Sequence, residues 1–251
     1  MTRHRFFIPP ENFSGQSVLL SPAVQDQIVK VLRLDAGDQV ELLDNRGNAV
    51  LAVLERDGIG GLVASVQEAV PVKTEPKTFL TLYFGLTQRE KLEWMLQKGT
   101  EIGVCAFQPF ISKRTLVRDK DSAQKKRIRW EGILREAAEQ SGRGRIPELH
   151  DPQDLDQTVT QSLLQNDLTI TCWVHERQKS LDEVLTGRKL ARIGLFIGPE
   201  GGFAPEEAEW MMAQGVQMVS LGCRVLRMET AAILAPALVL YQLGEMRAPT
   251  E

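Results

Sequence analysis

Two segments of the chain combine glycines with ionisable side chains in a way that could support ligand binding or catalysis. The first, Ile197-Gly198-Pro199-Glu200-Gly201-Gly202-Phe203, directly follows an apolar stretch with the composition of a buried strand. Glycines let a ligand approach the backbone closely and permit positive φ angles. Ligands of open α/β sheets also bind where such strands end. The spacing alone favours a ligand-binding loop and a tight turn without a ligand about equally.

The second segment runs from Leu221 to Ala232 and places Arg224, Arg227 and Glu229 between two apolar elements. Charged side chains that were buried there without partners would destabilise the fold by several kcal/mol. The three residues therefore either pair with one another in a structural ion network or face a substrate.

Neither segment has the spacing of a common nucleotide-binding or hydrolase motif. The chain contains no G-x-G-x-x-G after the first strand of this region, no G-x-x-x-x-G-K-[S/T] and no G-x-S-x-G. These absences argue against a dinucleotide fold, an ordinary Rossmann-type methyltransferase, a P-loop protein and an α/β-hydrolase.

The composition is that of an ordinary globular protein, with 251 residues, 43% apolar and 25% charged residues, and a net charge of −3. Any surface that binds nucleic acid must therefore be local. Cys105, Cys172 and Cys223 form no C-x-x-C pair and, with the three histidines, supply no zinc cluster. We expect reduced thiols, no metal, no signal peptide or membrane span, and a cytoplasmic location.

The predicted secondary structure that must position the two segments changes near residue 72. Up to residue 71, short strands alternate with turns, which predicts a small β-barrel domain. One helix is predicted from Ser21-Pro22, a hydroxyl cap followed by proline, to about Leu34. The proline-containing stretch 72–77 is predicted to be a linker.

Residues 78–247 are predicted to form a second domain of the α/β class. Apolar strands over 168–174, 193–197 and 217–221 alternate with helices, and a charged helix is predicted over 122–140. This alternation is typical of a mostly parallel sheet with helices on both faces. Both glycine-containing segments follow strands of this sheet.

Basic residues are concentrated in two places in this otherwise acidic chain. Eight lysines and arginines lie between Lys113 and Arg129, which slightly favours a phosphate-contacting face over a solvated helix face. The loop around Gly142 and Gly144 is a better candidate, because flexible glycines let Arg143 and Arg145 approach phosphates.

The two segments together resemble the knotted SPOUT class of methyltransferases and, within it, the ribosomal RNA small subunit methyltransferase E family. The resemblance also includes motifs elsewhere, and it covers nearly the whole chain in order. Those motifs are RFFIPP and VKVLRLDAGDQVELLDNRG near the start, QKGTEIGV (Gln97 to Val104) and EAAEQSGRGRIPEL (Glu136 to Leu149). The chain departs from the family at Gln25-Asp26-Gln27, where members often have histidine.

The resemblance implies a PUA-like RNA-binding domain followed by a domain with a C-terminal trefoil knot. It further implies an obligate homodimer that binds S-adenosylmethionine (SAM) in the knot loops. The implied reaction is methylation of N3 of a uridine in the decoding region of small-subunit (16S) ribosomal RNA, within the 30S subunit.

The same resemblance identifies candidate residues for cofactor and RNA binding. The expected cofactor-binding residues lie on the two segments: Ile197, Gly198, Pro199, Glu200, Gly201, Gly202, Leu221, Gly222, Arg224 and Leu226. The expected RNA contacts are basic: Lys30, Arg33, Arg46, Arg143 and Arg145.

Three residues are candidates for the chemistry itself. N3 of uridine carries a proton at neutral pH, so methylation requires removal of that proton and stabilisation of the resulting charge. We predict that Arg227 faces the developing charge and that Glu229 or Glu200 is the general base.

An unrelated α/β enzyme that acts on a small metabolite would leave the basic loop and the N-terminal barrel unexplained. Two further alternatives remain. A related knotted enzyme would methylate a different nucleotide or a ribose hydroxyl with similar cofactor loops. A non-catalytic RNA-binding or ribosome-assembly protein would retain the knot only as structure and would tolerate a substitution such as Gly201→Val.

Overall fold

The computed structural model describes residues 3–58 and 60–247 of the chain. Contacts divide the chain into two compact units. The first comprises the residues up to Glu75 together with Ala138–Ile146, and the second comprises Pro76–Ala137 and the residues from Pro147 onward. The predicted second domain, 78–247, is therefore interrupted, since a short segment within it belongs to the first unit.

The first unit is built on a six-stranded sheet with the order β1-β4-β5-β6-β3-β2. β1 pairs with β4 in parallel and the other neighbours are antiparallel. The strands are β1 (His4–Phe7), β2 (Phe13–Ser14), β3 (Ser17–Leu19), β4 (Gln39–Leu43), β5 (Ala49–Arg56) and β6 (Leu62–Val70). The predicted strands after residue 38 correspond to β4, β5 and β6, whereas the parallel pairing of β1 was not predicted.

The helix predicted for this unit begins as the sequence predicts. The Ser21 hydroxyl accepts the backbone N–H of Val24 at 3.4 Å, and proline occupies the first position of α1 (Pro22–Asp26). The helix continues as a π-helical segment, Gln27–Val31. Side chains such as Ile28 join a buried core formed by the sheet.

The second unit contains a sheet with the order β10-β8-β7-β12-β11-β13, with β9 paired to β8. All of its pairings are parallel. The strands are β7 (Phe79–Gly85), β8 (Ala106–Ile111), β9 (Glu148–Leu149), β10 (Gln153–Asp154), β11 (Leu168–Cys172), β12 (Arg192–Ile197) and β13 (Gln217–Val219). The α/β class and the parallel sheet expected from the sequence are confirmed.

Helices follow most of these strands. They are α2 (Arg89–Ile102), α3 (Lys120–Ser141), α4 (Leu155–Gln165), α5 (Leu181–Leu185), α6 (Pro205–Gln214) and α7 (Met228–Gln242). α2 ends at Gly103, whose φ of +117° is the left-handed conformation that favours glycine at a helix end. α7 packs against α2, β7 and β12, and α4 contacts β8, β11 and β12.

A buried aromatic cluster fixes the centre of this sheet. The rings of Tyr83 and Phe196 stack with their centroids 4.3 Å apart, and Phe110 lies 5.8 Å from Phe196. Side chains of α4 and α6 pack on this cluster. Because β7, β8 and β12 are locked together in this way, the loops that follow them start from fixed points.

Candidate active site

The carboxyl ends of β11 and β12 lie along one edge of the second unit's sheet and border a cavity of about 450 Å³. We call residues 198–204 the β12 loop and residues 220–227 the β13 loop. The cavity is lined by the β12 loop, the end of the β13 loop, residues 173–175 and Lys91 of α2. A second cavity of about 70 Å³ shares Trp173, Val174 and Leu226 with it.

The structure brings all of the predicted cofactor residues to these two cavities. The larger cavity is lined by Ile197, Gly198, Pro199, Glu200, Gly201, Gly202 and Leu226. The smaller cavity is lined by Leu221, Gly222, Arg224 and Leu226. Two segments separated by α6 and β13 in sequence therefore form one concave surface.

Glycine is required in the β12 loop and in the strand beside it. Gly202 has a φ of +68° and donates its N–H to the Pro199 carbonyl at 2.8 Å. A methyl group on Gly85, at the end of β7, would lie 2.8 Å from the backbone nitrogen and Cα of Pro199. The loop thus passes so close to β7 that no side chain fits between them.

Glu200 is anchored by two groups that follow β7. Its Oε1 accepts the Thr87 hydroxyl in a short hydrogen bond and the Lys91 ammonium at 3.2 Å. Burial opposes ionisation of this carboxyl, but Thr87 and Lys91 outweigh it and hold its pKa below the usual range. Its Oε2 is buried and has no hydrogen-bond partner among the described residues. Glu200 is therefore a fixed carboxylate with one oxygen that a ligand could use.

The predicted catalytic residues Arg227 and Glu229 also line the larger cavity. Glu229 Oε2 lies 3.9 Å from Lys91 Nζ. Arg224 and Arg227 are exposed, and within the described part of the chain neither forms an ion pair. The structural ion network of Arg224, Arg227 and Glu229, weighed as an alternative from the sequence, is therefore not formed.

Several residues that shape this site were given no functional role from the sequence. Lys91 and Thr87 were not singled out, because nothing in their spacing ties them to a loop more than a hundred residues away. Trp173 and His175, whose rings pack edge to face 5.2 Å apart, line the larger cavity. Their position directly after β11 was the available signal, since carboxyl ends of parallel strands share one edge.

The predicted RNA contacts all lie in the first unit, in different environments. Lys30 forms an i,i+4 ion pair with Asp26 at 2.8 Å, while Arg33 and Arg46 are exposed. Arg145 is exposed and donates from Nη2 to the Arg46 carbonyl at 2.8 Å. These four side chains remain available to a partner.

Arg143 does not fit the predicted role of a phosphate contact. Its side chain is 4% exposed, and its Nη2 donates to Glu75 Oε2 at 2.8 Å. Glu75 also accepts the backbone N–H groups of Gly144 and Arg145 at 2.9 and 3.2 Å. The guanidinium is satisfied inside the unit because the loop folds around this carboxylate, which residue spacing could not indicate.

The basic stretch between residues 113 and 129 has four of its eight lysines and arginines in ion pairs with described residues of the second unit. Its ion pairs are Lys113–Glu206, Lys120–Asp154, Arg127–Glu131, Arg127–Asp151 and Arg129–Glu93. Hydrogen bonds from Arg129 and Arg89 lower the pKa of Glu93 to about 2. Pairing of four side chains fits a solvated helix face, and the slight preference for a phosphate-contacting face stays a prediction.

In the part of the chain that the structure describes, no group of three or more His, Cys, Asp or Glu side chains could hold a metal ion. None of the described helices is both long and apolar enough to cross a membrane.

Comparison with known families gives the class of protein to which this fold and site belong. A family model described as an RNA methyltransferase domain matches residues 74–240. A second model, described as an RNA methyltransferase PUA domain, matches residues 28–63. The two matches fall on the two parts of the chain that the sequence analysis distinguished.

Individual relatives indicate which family of RNA methyltransferases the chain belongs to. The chain is 33% identical to the ribosomal RNA small subunit methyltransferase E of Synechocystis sp., over 97% of this chain and 78% of that protein. It is 32% identical to the protein of the same name from Bacillus subtilis, over 88% of each. The crystal structure of the Neisseria gonorrhoeae enzyme of this name, bound to S-adenosyl methionine, superposes with a TM-score of 0.85 at 29% identity. That superposition covers 96% of this chain and 98% of the other. The chain belongs to the ribosomal RNA small subunit methyltransferase E family.

Proposed function

We propose that this protein uses SAM to methylate N3 of a uridine in the decoding region of small-subunit (16S) ribosomal RNA. The observation that carries the proposal is the cavity between the β12 and β13 loops, which gathers Glu200, Arg227 and Glu229. Family membership and the SAM-bound structure of the Neisseria gonorrhoeae relative support the cofactor.

The residues of the two loops fit SAM. Leu221 and Leu226 offer apolar surfaces for the adenine ring, and the glycine-containing backbone lets polar ligand groups reach its N–H and C=O groups. The unpartnered Oε2 of Glu200 is an acceptor for a donor group of the cofactor or the target base. When bound, SAM supplies an electrophilic methyl group.

The residues of this chain supply the charge control that methylation of N3 needs. Arg227 lies at the cavity and forms no ion pair among the described residues, so its guanidinium is available to the uracil oxygens as negative charge develops. Donors placed in this way typically contribute about 3–4 kcal/mol to transition-state stabilisation. Glu229 or Glu200 accepts the N3 proton.

The RNA is held, in this proposal, by exposed basic residues of the PUA-like unit. Arg145 and Arg46 are joined by a hydrogen bond from Nη2 of Arg145 to the Arg46 carbonyl, so a phosphate group could contact both. Lys30 and Arg33 are exposed on the same unit. We infer that the substrate is the RNA within the assembled 30S subunit and that the protein acts in the cytoplasm.

We further infer a homodimer and a knotted C-terminus. α7 leaves large apolar side chains exposed on the single chain: Leu234, Leu238 and Tyr241. A second copy that covered this face would remove apolar area from water. The knot is supported by the path of the chain, which goes from β13 at the sheet edge to α7 against β7 and β12.

Calorimetric titration with SAM separates this proposal from a non-catalytic RNA-binding protein. We expect the wild-type protein to bind SAM and the Gly201→Val variant to lose binding, because a Cβ at this position already lies 3.2 Å from Arg114 Cβ. Absence of SAM binding by the wild type, with RNA binding intact, would favour the non-catalytic alternative.

A further inference from the structure

Lys91 links the β12 loop to the start of α7 at the larger cavity. It lies near the start of α2, outside both loops, and its side chain is 34% exposed. Its Nζ is 3.2 Å from Glu200 Oε1 on the β12 loop and 3.9 Å from Glu229 Oε2 at the start of α7. One ammonium group therefore lies within ion-pair distance of two carboxylates that come from different segments of the chain.

The two carboxylates would repel each other without this cation. Like charges that share a site raise one pKa and push the groups apart, whereas a cation between them favours both ionised forms. Lys91 therefore acts on both the geometry and the charge of the cavity. Its position on α2, which packs on α7, holds that charge in place.

The two carboxylates are not held equally. Glu200 Oε1 receives two hydrogen bonds, from Thr87 and from Lys91, and the Glu200 pKa is below its usual range. Glu229 has only the longer contact with Lys91 among the described residues. Glu200 is thus the better fixed acceptor, and Glu229 is the freer group for proton transfer.

We propose that Lys91 is a positioning residue that draws Glu200 and Glu229 to one cavity, with Glu200 as the ligand acceptor and Glu229 as the general base. This inference rests on the proposed function, and it decides between two bases that the sequence left open. Glu229 takes the N3 proton, and the freed nitrogen pair bonds the methyl carbon. The electron pair of the broken carbon–sulfur bond remains on sulfur.

Other charged groups also line the cavity that Glu229 faces. The cavity is lined by Lys91, Glu200, Arg114, Arg227 and His175, and Lys91 is the one among the described residues within ion-pair distance of Glu229. Removal of Lys91 should therefore take away the nearest cation of Glu229 while the other groups stay in place.

The test compares Lys91→Met, Lys91→Arg and the matched control Lys98→Met in methyl transfer from radiolabelled SAM to small ribosomal subunits that lack the modification. Lys98 lies on the same helix and pairs with Glu101. We expect Lys91→Met to lower kcat by about 100-fold, as misplacement of reacting groups does. We expect Lys91→Arg to restore most of the loss and Lys98→Met to leave kcat unchanged.

The pH profile of kcat gives a readout that a purely structural role would not move. Without a nearby cation, ionisation of a carboxylate is less favourable, so the acid limb of the Lys91→Met profile should shift to higher pH. Thr87→Val, which removes only a hydrogen bond to Glu200, should raise the KM for SAM and leave the acid limb in place.

Two results would overturn the inference. One is a Lys91→Met protein with the kcat and acid limb of the wild type. The other is an acid limb that moves with Thr87→Val and not with Lys91→Met, which would make Glu200 the base. If the wild-type protein itself transfers no methyl group, the proposed function fails instead, so the two failures are distinguishable.

Discussion

Glu75 in the first unit and Glu200 in the second are both carboxylates that hold a glycine-containing loop, but their oxygens are used differently. Glu75 Oε1 accepts the N–H groups of Gly144 and Arg145, and Oε2 accepts Nη2 of Arg143. Both oxygens have partners within the protein. The loop around Glu75 is complete without a ligand.

Glu200 has the opposite arrangement. Its Oε1 is occupied by Thr87 and Lys91, while Oε2 is buried at a cavity without a partner among the described residues. A buried polar atom that lacks a partner is costly unless a ligand or water satisfies it. The contrast indicates that a satisfied carboxylate is part of the scaffold, whereas a half-satisfied one marks a binding site.

Replacement of the carboxylate by an amide, at Glu75 and at Glu200, should give the largest difference between the scaffold role and the binding role. Glu75→Gln leaves the Arg143 guanidinium buried without its counter-charge, which typically lowers the free energy of unfolding by about 3–5 kcal/mol. Glu200→Gln, in a cavity open to solvent, should lower it by less than about 1 kcal/mol. Chemical denaturation, with hydrogen exchange in β4 and β5 as the readout for the first unit, measures both.

SAM affinity should be reduced by the Glu200 variant and not by the Glu75 variant, the reverse of the order expected for stability. Glu200→Gln weakens a charge-assisted acceptor and should reduce affinity by about tenfold, whereas folded Glu75→Gln should bind SAM as the wild type does. Equal stability losses for the two variants would contradict the comparison.

Two arginines extend the comparison. Arg227 lies at the cavity without an ion pair among the described residues, whereas Arg143 is buried with Glu75. Arg227→Ala should reduce turnover by about 100-fold to 1000-fold, because it removes a donor to developing charge, with SAM affinity close to normal. Steady-state methyl transfer and SAM calorimetry measure the two effects. Arg188→Ala, at an exposed position away from the cavities, is the control. Loss of turnover and SAM binding together would remove Arg227 from the catalytic role.

The close approach of Gly85 to Pro199 can be tested with a single methyl group. Gly85→Ala should displace the β12 loop and cost about 1–3 kcal/mol in stability or SAM binding, as overpacking does. Gly132→Ala in α3, where an added Cβ meets nothing within 4 Å, should be neutral or stabilising. SAM calorimetry and thermal unfolding measure the two effects in both variants. Equal SAM affinity and equal stability of the two variants would mean that the β12 loop adjusts freely to the added methyl group.

The smallest effect is expected at the exposed arginines of the first unit. Arg145→Ala should weaken binding to small-subunit RNA by a few-fold and reduce the slope of log affinity against log salt by about 1, as the loss of one phosphate contact does. Arg56→Ala, which removes an exposed pair with Asp35, is a matched control. An unchanged salt slope for Arg145→Ala would place the RNA surface elsewhere.

Much of the fold and the outline of the site could be predicted from local sequence. Strands alternate with helices along the chain, and this alternation predicts the parallel sheet. Gly198 and Gly222 each follow a strand, which predicts that both loops lie at the same edge of the sheet. The cap at Ser21 and the helix end at Gly103 are likewise local. These features are the ones that the structure confirms.

Long-range pairings could not be predicted in this way. The partners of Arg143 and Glu200, namely Glu75 and Lys91, are 68 and 109 residues away in the chain. The sequence shows that these residues are charged, but whether a charge is buried and paired depends on the folded path. For this reason the sequence placed Arg143 on the RNA surface and left Lys91 unnoticed.

The most direct test of the account is identification of the product. Purified protein is incubated with SAM and small ribosomal subunits that lack the modification, and the digested RNA is analysed by nucleoside mass spectrometry. The account predicts N3-methyluridine, formed by the wild type and nearly absent with Arg227→Ala. A different methylated nucleoside would contradict the uridine N3 assignment, and no product together with no SAM binding would contradict the enzymatic function itself.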